Sequence, residues 1–69
     1  MRVRISDSSC LTALVEDLLR GGCVPASVDD ETVDVIYPDA VDAREAQTEL
    51  LFFLRAWQSR HPGVVVSLG

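Results

Sequence analysis

Cys23-Val24-Pro25-Ala26-Ser27-Val28-Asp29-Asp30-Glu31-Thr32-Val33-Asp34-Val35-Ile36-Tyr37-Pro38 is the stretch whose reading decides the fold. Val24, Ala26 and Val28 alternate with Pro25 and Ser27, then Val33, Val35 and Tyr37 alternate with Asp34 and Ile36. That is the period-2 pattern of two half-buried strands. The three acids Asp29, Asp30 and Glu31 between them form a polar turn, so the strands read as a hairpin. Pro25 cannot donate to a ladder, which assigns its strand to a sheet edge or a bulge. Pro38 closes the second strand.

Upstream, Gly21 and Gly22 stop a helical pattern in which Leu11, Leu14, Val15 and Leu18 fall at i, i+3, i+4 and i+7. Asp7, Ser8 and Ser9 supply N-cap oxygens for that helix. Met1 to Ser6 alternates once more, with Val3 and Ile5 on one side and Arg2 and Arg4 on the other. Downstream, Asp42 with Glu45 three residues later resembles a capping box, with Val41 and Ala46 placed as a hydrophobic staple. The second helix runs to about Arg60, where Pro62 and Gly63 forbid its continuation, and Val64 to Leu68 forms a last strand.

Residues 1–69 therefore read as one α+β domain: a ferredoxin-like βαββαβ two-layer sandwich, a four-stranded antiparallel sheet with two helices on one face. In that order the first and third strands are central. The other sheet face is left open, bearing Arg2, Arg4, Thr32, Asp34, Ile36 and part of the last valine run.

The second helix carries Leu50, Leu51, Phe52, Phe53 and Leu54, followed by Trp57. Measured from Leu50 at about 100° per residue, Phe53, Leu54, Ala43, Ala46, Trp57 and His61 lie within about 60°. Of these, Phe53, Leu54 and Trp57 join Leu50 in the core. Leu51 falls near 100° and Phe52 near 200°. Leu51, with Leu19 of the first helix, is expected in the seam between the helices. Phe52 faces away from its own core beside Thr48, Ala56 and Ser59, which marks a contact surface for a partner.

A formal charge of −5 opposes binding to nucleic acid or anionic lipid, both of which require clustered Lys and Arg. The bases are all Arg, a skew expected of a GC-rich bacterial genome. No amino-terminal apolar run and no long uncharged stretch appears, so the expected compartment is the cytoplasm, with no membrane contact. At 69 residues, 48% of them hydrophobic, the chain sits near the size at which small domains associate to complete their burial.

No catalytic, metal or cofactor constellation stands out. Cys10 and Cys23 flank the first helix, which would hold them roughly 18 Å apart, so both are expected as free thiols. Cys10 is expected in the first turn of the first helix, where a thiolate is favoured, but Asp7 opposes that and no basic residue accompanies it. His61 is the only histidine and reads as a C-terminal helix cation. Asp29, Asp30 and Glu31 lack the alternating spacing of a calcium loop.

The run Asp7, Ser8, Ser9, Cys10, Leu11 resembles the Asp-x-Pro-Gly-Leu turn of ACT domains, which are βαββαβ modules of about this length. Asp7 and Leu11 match, Ser9 stands for the proline and Cys10 for the glycine. The resemblance implies an effector-sensing module that binds an amino acid or similar small molecule at a dimer interface, with Asp7, Ser8, Ser9 and Cys10 as the ligand turn. The residues themselves point to a non-enzymatic interaction module, a homodimer or the partner of a protein encoded nearby. Its interface would be either the open sheet face, through Arg2, Arg4, Asp34 and Ile36, or the back of the second helix, through Phe52, Ala56 and Ser59.

Overall fold

The computed structural model describes every residue from Met1 to Gly69, and its elements follow the order of the alternation pattern. They are β1 (Arg2–Ile5), α1 (Leu11–Arg20), β2 (Val24–Asp29), β3 (Thr32–Ile36), α2 (Ala43–Ser59) and β4 (Val66–Leu68). A 3₁₀ turn over Ser8–Cys10 leads into α1, so Cys10 precedes the α-helix instead of lying in its first turn. The strands make one antiparallel sheet in the order β2-β3-β1-β4, with β1 and β3 central. Pro25 lies in the edge strand β2, which is irregular between Ser27 and Asp29.

Both helices cover the same sheet face. Val3 and Ile5 of β1 and Val33 and Val35 of β3 share one buried cluster with Leu14 and Leu18 of α1 and Leu50, Leu54 and Trp57 of α2. Seven large side chains in this layer are essentially inaccessible, Trp57 among them, so the tryptophan is a core residue. Arg2 and Arg4 alternate outward as the period-2 pattern requires.

Local chemistry ends the helices. Asp42 accepts from Glu45 N–H at 2.8 Å and caps α2. At the end of α1, Cys23 N–H donates to the Leu18 carbonyl and Gly22 N–H to the Leu19 carbonyl, the paired bonds of a Schellman motif. Gly22 has φ +86°, a left-handed conformation that a Cβ would strain.

Three expectations are corrected. The staple is not made: Val41 is 85% exposed, because the turn closed by Ala40 N–H on the Tyr37 carbonyl carries it outward. Leu19 and Leu51 are exposed and do not fill the seam between the helices. Phe53 occupies it, packed so closely on Gly21 that a Cβ there would meet the ring at 3.1 Å. Leu51 instead faces β4, on the other flank of α2. Thr32, although on the open face, is only 7% exposed, lying beside Arg4 in the ladder.

Candidate functional site

The open sheet face is built by strict alternation in the central strands. In the β1–β3 register Arg2 stands opposite Asp34 and Arg4 opposite Thr32, and in the β2–β3 register Val24 stands opposite Ile36 and Ala26 opposite Asp34. Cross-strand partners share a face. Val24 and Ile36, 50% and 61% exposed, make an apolar corner, with the Arg2, Arg4 and Asp34 charges beside it. Val65, 59% exposed, extends the same face beyond β4.

Asp34 does not pair with Arg2 inside the chain. Its Oδ1 accepts from the Met1 ammonium at 3.1 Å, while the same ammonium donates to the Val35 carbonyl at 2.8 Å. The Arg2 guanidinium is left beside a carboxylate engaged elsewhere. Arg4 contributes to holding the Asp29 carboxyl below its ordinary value, after the hydrogen bonds from Glu31 N–H and the Thr32 hydroxyl.

The second predicted surface lies on the opposite side of the sandwich. Phe52 is 64% exposed on the back of α2, and Ala56 and Ser59 are exposed next to it. The Ser59 hydroxyl donates to the Ala56 carbonyl at 2.7 Å, so its polar group is committed locally. Phe52 is the sole large apolar side chain on that back, since Leu51 turns toward β4.

The turn Asp7 to Cys10 is closed on itself. Asp7 Oδ1 accepts from Ser9 N–H at 3.0 Å and from Ser9 Oγ at 2.6 Å, and Oδ2 accepts from the Cys10 thiol at 3.8 Å. The Ser9 bonds hold the Asp7 carboxyl below its ordinary range. None of the three surface grooves is lined by these four residues. No group of three or more His, Cys, Asp and Glu side chains converges to hold a metal ion. Both cysteines are free, and burial pushes the Cys23 thiol up.

One polar constellation gives no signal in the sequence. Trp57 Nε1–H donates to Asp17 Oδ2 at 2.8 Å, and Asp17 Oδ1 accepts from Arg20 at 2.9 Å. His61 stacks on the Trp57 ring with centroids 3.9 Å apart at 14°. Its Nδ1 is 2.9 Å from the Trp57 carbonyl, which can only accept, so that nitrogen carries the proton. His61 thus caps the end of α2, and the Trp57–Asp17 bond joins the two helices.

No helix is long and apolar enough to cross a membrane. No protein-family model matches this chain, and neither the curated proteins nor the solved structures contain a match.

Proposed function

We propose that this domain is a non-enzymatic interaction module of the ferredoxin-like βαββαβ class that works as a homodimer in the bacterial cytoplasm and associates through its open sheet face. The class is supported by the strand order β2-β3-β1-β4 with every pair antiparallel. The association rests on one observation: Val24 and Ile36 form an exposed cross-strand pair on a sheet face that no other layer covers.

Exposed apolar residues bordered by charged ones are what protein contacts bury. An isologous dimer through this face sets Arg2 and Arg4 near Asp34 of the same or the neighbouring chain, and any contact between Arg2 and the partner's Asp34 is made twice, because residue i meets j wherever j meets i. The same face carries both signs of charge, with Arg2 and Arg4 beside Asp34.

Light scattering tests this directly. The wild-type chain is expected as a dimer at micromolar concentration, Ile36→Asp as a monomer, and Phe52→Asp as a dimer. A dimer lost in Phe52→Asp and kept in Ile36→Asp would move the interface to the back of α2. A wild-type monomer would remove the reading.

The second reading, a small-molecule sensor, is favoured by Asp7 and Leu11 at the turn after β1. It predicts that an amino acid raises the melting temperature by binding the folded state preferentially. A screen of the common amino acids without a shift would end it.

A further inference from the structure

The two edges of the sheet are not equivalent. β2 carries Pro25 and the irregularity between Ser27 and Asp29, both of which discourage strand addition. β4 has neither. Gly69 N–H donates to the Arg2 carbonyl and the Val65 carbonyl accepts from Ser6 N–H, so residues 65, 67 and 69 face β1. The alternation of an antiparallel ladder then turns the N–H and C=O of Val66 and Leu68 outward. The Val66 N–H is taken by Gln58 Oε1 at 2.9 Å. That carboxamide stands where the carbonyl of an added strand would stand.

Beside this edge runs a groove of about 420 Å³ between α2 and β4, floored by Leu51, Leu54, Val66 and Leu68. Its charge sets it apart from the rest of an acidic chain. The last of the eleven carboxylate side chains is Glu49, whereas Leu50 to Gly69 carries Arg55 and Arg60 and no acid. On α2, Arg55 lines this groove and Arg44 falls on the same side of the helix further toward its N-terminus, at about 140° and 120° from Leu50, while Glu45 and Glu49 fall beyond them at about 220° and 260°. The two arginines are about 16 Å apart along the helix, the span of about five strand residues.

We propose that the β4 edge and this flank of α2 take an extended acidic segment of another protein as a fifth strand. Its alternate apolar side chains lie in the groove and its carboxylates pair with Arg44 and Arg55, the strand-addition mode of peptide recognition. A second copy of this chain is a poorer occupant, because pairing β4 with β4 brings Arg55 toward Arg55. The site uses the sheet edge and not the open face, so it stands whether or not the chain dimerises.

The test is an amide-shift titration of the full chain with a capped peptide alternating valine and glutamate, against its lysine counterpart. The glutamate peptide is expected to shift Val66, Leu68, Leu51 and Arg55, and the lysine peptide to leave them in place. Arg55→Glu, an exposed change whose folding is verified by its melt, should weaken the glutamate peptide roughly tenfold. Gln58→Ala, which frees the Val66 N–H, should bind it more tightly than wild type. Silence up to millimolar peptide, equal shifts with lysine, or shifts mapping away from β4 would overturn the proposal. Concentration-dependent shifts of Val66 and Leu68 without peptide would assign the edge to a second copy and overturn it as well.

Discussion

Trp57 Nε1–H reaches Asp17 Oδ2 at 2.8 Å, a bond between residues forty positions apart that fixes α2 against α1. The indole is fully buried, so its N–H has no water to fall back on. The Arg20 partner of Asp17 is 76% exposed and its pair contributes little.

Asp17→Ala should therefore lower the unfolding free energy by about 1–3 kcal/mol, the cost of an unsatisfied buried donor. Asp17→Asn keeps an acceptor and should lose less, and Arg20→Ala should lose about 0.5 kcal/mol or less. Urea denaturation measures all three. Equal losses in Asp17→Ala and Arg20→Ala would show that the surface pair, not the indole bond, carries the link.

Gly22→Ala is expected to destabilise by about 1 kcal/mol although no atom lies within 4 Å of the added Cβ. The cause is the backbone, held at φ +86° by the Schellman bonds at the end of α1. Unchanged stability would mean that this helix end relaxes without cost.

Acid should weaken the fold through Asp7 and Asp29. Both carboxyls are held below their ordinary value of 3.8 by hydrogen bonds, from Ser9 in one case and from Glu31 and Thr32 in the other. Depressed folded values mean stability fully present above pH 3.8 and lost as the pH falls through the lower folded values. In Asp7→Ala and Asp29→Ala, thermal melts should vary less with pH below that point than in wild type. An unchanged acid limb in both would contradict the assignment.

The two thiols should separate by reactivity. Cys10 is half-buried and Cys23 is 3% exposed, with its thiol raised by burial above the ordinary 9.0. Iodoacetamide should modify Cys10 first and reach Cys23 only on unfolding, with mass spectrometry as the readout. A raised folded value means that the Cys23 contribution to stability is complete below pH 9.0 and declines as the pH rises beyond it.

Much of this architecture is legible in the residues themselves. The hairpin shows because Pro25, the acids Asp29 to Glu31 and the valine alternation act locally, and the cap on α2 shows because Asp42 needs only the Glu45 amide three residues on. The helix seam does not show. Angles around α2 put Leu51 and Phe53 on opposite flanks, but which flank meets α1 is settled by how the helices lie on the sheet. The same holds for Asp17, whose partner comes from another helix, and for Val41, carried out of reach of Ala46 by the preceding turn. At the proposed interface, the outward residues Arg2, Asp34 and Ile36 follow from alternation, while the Met1 ammonium on Asp34 depends on register alone. Phe52 is exposed as its angle requires.

The claim that the open sheet face joins two copies is tested most directly by isotope-filtered NOEs in an equimolar mixture of labelled and unlabelled chain. Contacts between the Ile36 and Val24 methyls of one protomer and the open face of its partner are the predicted result, with tumbling at the rate of a dimer. Monomer tumbling at submillimolar concentration, with no inter-chain NOE to Ile36, would contradict it.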